Sequence, residues 1–97
     1  MKAYLYILYS TKINKYYVGI TTDSVYDRLE KHNTGFYKGS FSKAASDWEI
    51  KIQIEVENKD TAIKMEQYIK RMKSRKFIEK LISSEAEKLL FLEKFIF

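Results

Sequence analysis

Five widely spaced side chains carry groups suited to phosphate chemistry: Tyr6, Tyr17, Arg28, His32 and Glu66. A guanidinium offers a planar fork of donors to phosphate oxygens and to charge that grows in a transition state. An imidazole can donate to phosphate or relay a proton near neutral pH. A phenol ionises only near pH ~10, so it needs a neighbouring cation or metal-bound water to act as a base. Glu66 is a lone carboxylate, and one carboxylate with water and phosphate is often all that holds magnesium.

Each also has an ordinary structural role. Glu66 stands four residues before Lys70, a helical ion pair worth about 0.3–0.5 kcal/mol. Tyrosines in a hairpin usually pack, and the chain has eight of them. A histidine near a helix end commonly caps it. Arg28 differs, because the residues three and four positions away are Ser24, Val25, Lys31 and His32 and none is acidic. Helical spacing thus offers it no acidic neighbour along its own face.

The elements that must position these groups follow from pattern. Residues 3–10 and 16–20 are β-prone aromatic and aliphatic runs joined by a polar link containing Asn14, which predicts an antiparallel hairpin. Thr21, Thr22 and Asp23 supply helix-start residues, and Val25, Leu29 and His32 have helical spacing. The first helix is expected from about Ser24 to Asn33, stopping near Gly35. Residues 36–48 lack periodicity and read as a loop, with Trp48 a core plug before the next strand. Residues 49–56 alternate strictly, predicting a strand with Ile50, Ile52, Ile54 and Val56 facing the core.

A second helix, capped from Asn58 to Thr61, shows an apolar stripe of Ala62, Met65, Ile69 and Met72. Ser74 starts a third helix expected to bury Phe77, Ile78, Leu81 and Ile82. Ser84 and Glu87 have capping-box spacing and open a last helix with Leu89, Leu90, Leu92, Phe95 and Ile96. The fold class is therefore α+β: a small three-stranded antiparallel sheet flanked by helices, a ββαβαα core plus a C-terminal helix. Phe91, Phe95 and Phe97 either close the core or form a docking surface for a second copy or a partner protein.

Composition narrows the classes. Ninety-seven residues suit one domain, and 45% apolar residues suit a folded globule. No apolar run approaches the roughly 20 residues that span a bilayer, no signal peptide is evident, and a cytoplasmic location is expected. Without cysteine, disulfides and thiolate metal sites are excluded, and a single histidine rules out a multi-histidine cage. The net charge of +5 is carried entirely between Lys64 and Lys80, a window that includes Lys70, Arg71, Lys73 and Arg75. Such a stripe is an electrostatic footprint for a polyanion, or simply a solvated helix face. The stretch Phe36, Tyr37, Lys38, Ser40, Phe41, Lys43 interleaves cations with aromatics, which suits stacking on unpaired bases and equally suits an ordinary polar loop with anchoring aromatics. Gly19 permits a close backbone approach at the strand end and joins Lys38, Lys43, Lys70, Arg71, Lys73 and Arg75 as candidate nucleic-acid contacts.

The ordered set Tyr4-Leu5-Tyr6, Tyr17-Val18-Gly19, Arg28 with His32, and Glu66 resembles the GIY-YIG nuclease superfamily, over about residues 3–82. The likeness is to the small stand-alone bacterial kind, similar to the N-terminal catalytic domain of the bacterial excinuclease. Two departures are plain: Tyr4 stands where the motif has glycine, and residues 71–75 lack the asparagine many family nucleases carry. The resemblance divides the chain into a nuclease-like domain, 1–83, and a helical extension of the same domain, 84–97. It implies a metal-dependent endonuclease cutting DNA, with structured or damaged DNA in repair or recombination among its candidate substrates; RNA stays open. Glu66 would hold Mg²⁺ or Mn²⁺, Arg28 and His32 would support the phosphate, and Tyr6 and Tyr17 would place the nucleophile. Two other readings stand beside it: a non-catalytic nucleic-acid-binding module, and an interaction subunit docking through its apolar tail.

Overall fold

In a computed structural model, which describes residues 1–36 and 44–96, the two aromatic runs form an antiparallel hairpin of β1 (Ala3–Ser10) and β2 (Lys15–Thr21). Asn14 closes it at φ 53°, a left-handed conformation that asparagine tolerates better than most residues. β3 (Glu49–Val56) pairs antiparallel with the other edge of β1, so the strand order is β2-β1-β3. β1 is the central strand and is buried on both faces, which its nearly continuous apolar sequence requires.

Among the described residues four helices cover the sheet: α1 (Val25–Asn33), α2 (Lys59–Met72), α3 (Arg75–Ser83) and α4 (Glu85–Ile96). Each begins at a polar side chain that accepts an otherwise unpaired backbone N–H. Ser24 accepts from Tyr26, Asn58 from Thr61, Ser74 from Phe77 and Ser84 from Glu87, at 2.9–3.2 Å. α1 is followed by Gly35 at φ 74°, the left-handed stop expected there.

The sheet separates two apolar clusters. Leu5, Ile7, Ile52, Ile54 and Val56 meet Met65, Ile69, Leu81 and Phe91 on the side of α2, α3 and α4. Tyr6, Leu8, Val25, Ala45 and Trp48 form the second cluster, on the side of α1. Trp48 is buried, as its place before β3 suggested.

Three expectations need correction. Ile7 pairs with Ile52 but Leu8 pairs with Ile50, so the register shifts and Lys51 is the extra residue of a bulge. Ile50 consequently packs with the α1-side cluster instead of joining Ile52, Ile54 and Val56. Met72, placed on the apolar stripe of the second helix, is exposed, because α2 gives way at Lys73 to a left-handed conformation. On α3 only Leu81 is fully buried; Phe77, Ile78 and Ile82 are half-buried at the margin of the core. Phe91 closes that core, ringed by Tyr68, Phe77 and Phe95 at centroid separations of 5.1–5.9 Å.

Candidate active site

Register brings the tyrosines together. Tyr6 on β1 lies opposite Gly19 on β2, and Tyr17 lies opposite Leu8, so Tyr6, Tyr17 and Gly19 share the α1 side of the sheet. Their rings are 6.4 Å apart. Gly19 makes this possible: a Cβ there would stand 2.6 Å from Cζ and Oη of Tyr6 and 3.0 Å from Cε1 of Tyr17. The close approach expected at Gly19 is therefore that of the Tyr6 phenol.

α1 supplies the basic groups. The spacing of four puts Arg28 and His32 on one face, one turn apart. His32 is 2% exposed, its Nε2 is 3.0 Å from Tyr6 Oη, and its ring is 4.6 Å from that of Tyr17. Burial, helped by the Arg28 charge, pushes its pKa down from 6.5 to about 4. The imidazole is neutral at physiological pH. In one tautomer its Nε2 accepts the Tyr6 hydroxyl proton, and in the other it donates to the phenol oxygen. Arg28 donates from Nε to Oγ1 of Thr21 at 3.1 Å, and the same oxygen accepts the Asp23 N–H at 2.9 Å.

Glu66 reaches the site from α2, around the β2 edge. A groove of about 240 Å³ is lined by Tyr6, Tyr17, Gly19, Ile20, Arg28, His32 and Glu66. All five chemistry-bearing residues picked from the sequence thus meet in one cleft, from β1, β2, α1 and α2. The mundane pairing of Glu66 is present too, with Lys70 Nζ 3.5 Å from its carboxylate. The ammonium is mostly exposed, so the pair is weak and leaves the carboxylate at the groove wall.

Among the described residues no three histidine or acidic side chains cluster to cage a metal. One hard carboxylate facing a cleft with room for water and phosphate fits a hydrated magnesium or manganese ion, which keeps most of its own water. His32 is engaged with Tyr6 and is not needed as a ligand.

Of the candidate nucleic-acid contacts, Lys38 and Lys43 lie outside the described residues. Lys70, Lys73 and Arg75 line a second groove beside the first, and Arg71 is exposed on α2. Arg75 is also a fold-holding residue. Its guanidinium donates to the backbone oxygen of Asn14 at 2.8 Å, pairs with Glu79 and lies 5.1 Å over the Tyr16 ring.

Sequence reasoning misses the positioning residues. Thr21, expected as a helix starter, ends β2 and holds Arg28. Asn33 clamps Trp48, accepting its N–H at 2.7 Å and donating to its carbonyl at 3.1 Å. Only the position of Thr21, directly after the tyrosine-bearing strand, hints at a site role.

The profile of the GIY-YIG catalytic domain matches residues 2–80. The chain belongs to the GIY-YIG family. GIY-YIG domains are nuclease domains that act on DNA and generally depend on a divalent metal. The chain is also similar to the solution NMR structure of a UPF0213 protein from Bacillus halodurans. The two share 28% identity at a TM-score of 0.55, with 88% of this chain and 86% of that chain covered. No curated protein matches significantly. No helix among the described residues is long and apolar enough to cross a membrane.

Proposed function

We propose that this GIY-YIG domain is a metal-dependent endonuclease that hydrolyses phosphodiester bonds in DNA, including branched or damaged DNA. The observation that carries the reading is the convergence of Tyr6, Tyr17, Arg28, His32 and Glu66 on one groove from four separate elements. Glu66 is the residue that would hold the magnesium or manganese ion. When bound, such an ion polarises the phosphoryl oxygen and stabilises charge on the leaving oxygen.

The other residues have distinct tasks. Arg28, with its Nε tied to Thr21, presents a fixed positive charge to the phosphate, and a fixed charge costs no reorganisation as the transition state forms. Tyr6 orients the attacking water. Neutral His32, its Nε2 3.0 Å from the phenol oxygen, fixes that orientation. With a pKa of about 4 it is too weak a base to keep a proton, so the proton of the attacking water passes to solvent. Tyr17 packs on His32, holds the imidazole in line and faces the water or phosphate from the groove wall. The leaving oxygen takes its proton from solvent.

The test is cleavage of labelled single-stranded, duplex, flap and branched DNAs with magnesium, manganese or EDTA, comparing wild type with Glu66→Ala. Metal-dependent products should vanish in the variant while its melting temperature stays close to that of wild type, since a helical ion pair whose ammonium is mostly exposed contributes only about 0.5 kcal/mol. Equal cutting by both proteins would sink the assignment. Binding without cutting in every metal would leave a nucleic-acid-binding module.

A further inference from the structure

Beside the candidate active groove runs a second one of about 310 Å³, on the other face of β2, between that strand, α2 and α3. Its walls carry Lys15, Lys70, Lys73 and Arg75, and its floor includes Val18, Ile69 and Ile78. The two grooves share their framework. Along β2, Ile20 borders the first and Val18 and Tyr16 the second; along α2, Glu66 borders the first and Lys70 and Lys73 the second.

Helical rise sets the spacing between them. Lys70 lies about 6 Å and Lys73 about 10.5 Å along α2 from Glu66. Phosphates of one stacked strand recur about every 3.4 Å along its axis, so the two lysines stand about two and three phosphates from a phosphate at Glu66. The charge is one-sided. Among the groove-lining residues none is acidic, although Glu79 pairs with Arg75 and receives the Tyr16 hydroxyl at 3.2 Å from just outside. Arg75 is held by Asn14 and Lys70 is weakly paired with Glu66 at 3.5 Å, so Lys15 and Lys73 follow a ligand most readily and Lys70 does so by leaving that pair.

An apolar floor between cationic walls suits a ligand that is anionic along its edges and flat and apolar between them. The geometry points to an unpaired nucleotide of the DNA strand, seated two to three positions from the scissile phosphate, its base over the half-buried Ile78, above the nearly closed Val18 and Ile69, and its phosphates against Lys15, Lys70 and Lys73. A base stacked within a duplex could not reach that floor. The inference rests on the nuclease reading for the position of the scissile phosphate, and it makes a substrate with unpaired strand beside the cut the preferred one.

The experiment is fluorescence anisotropy of a labelled oligothymidine and of an abasic oligomer of equal length, in EDTA, across a salt series. Wild type is compared with the double variant Lys15→Gln/Lys73→Asn and with Ile78→Ala; asparagine tolerates the left-handed conformation of Lys73. Wild type should prefer oligothymidine about tenfold, and Ile78→Ala should narrow that preference. The double variant should lower the slope of log K against log salt by about 1.4 for both ligands, about 0.7 for each lost contact. Equal binding of the two ligands by wild type, or an unchanged slope in the double variant, would overturn the groove assignment. Cutting by wild type in magnesium or manganese is scored separately, so loss of the nuclease reading and loss of the groove are told apart.

Discussion

Replacing Gly19 with alanine isolates the steric basis of the site. Gly19 does not have positive φ, so alanine pays no conformational penalty and even favours the strand slightly. The new Cβ, however, would sit 2.6 Å from the Tyr6 phenol, where carbon contacts normally lie at about 3.5–4.0 Å. The phenol must retreat by about 1 Å. Its contact with His32, now 3.0 Å, would then exceed hydrogen-bonding distance. Overpacking costs about 1–3 kcal/mol, and losing the buried Tyr6–His32 hydrogen bond adds about 1 kcal/mol. Set against the strand gain, a net loss of about 2 kcal/mol is expected, which lowers the melting temperature by about 8–16 °C for a domain of this size. Thermal denaturation followed by circular dichroism measures this directly, and under the proposed mechanism, in which Tyr6 orients the water, cleavage should fall with it. A variant that melts within about 2 °C of wild type, a shift worth well under 1 kcal/mol, would refute the argument that glycine is there to admit the Tyr6 ring.

Further outcomes follow from the same contacts. His32 is held neutral, with its pKa depressed from 6.5 to about 4, so the folded chain binds fewer protons than the unfolded one between those values. Its stabilising contribution is complete above pH ~6.5 and is lost as pH falls toward ~4, a loss of up to about 3 kcal/mol. Denaturant titrations from pH 7 to 4 should show that slope, and His32→Gln should flatten it; parallel slopes in the two proteins would contradict the assignment. Asn33→Ala removes both hydrogen bonds to the Trp48 backbone and should cost about 2 kcal/mol in urea unfolding, where a loss below about 0.5 kcal/mol would show that the clamp is dispensable.

The elements were legible because their signals are local. The side-chain alternation of β3, the polar caps Ser24, Asn58, Ser74 and Ser84, and the left-handed stop at Gly35 depend only on neighbours within a few residues. The bulge at Lys51 was not legible, because it exists only in the pairing of β3 with β1. That pairing sends Ile50 to the α1 side, against the pattern of its own strand.

The site divides in the same way. Its ingredients are a matter of residue type and order, so Tyr6, Tyr17, Arg28, His32 and Glu66 could be chosen from the chain alone. Their environment could not. That Tyr6 and His32 share a buried hydrogen bond, that the imidazole is neutral, and that Thr21 holds Arg28 all follow from contacts between groups far apart along the chain. The same holds for Arg75, a basic residue in sequence and a clamp between the hairpin turn and α3 in space. Sequence by itself determined the chemical inventory and the order of elements, through short-range periodicity and capping. Tertiary structure alone decided the cross-strand register, burial and solvation, and these set which phenol meets which imidazole and in what protonation state.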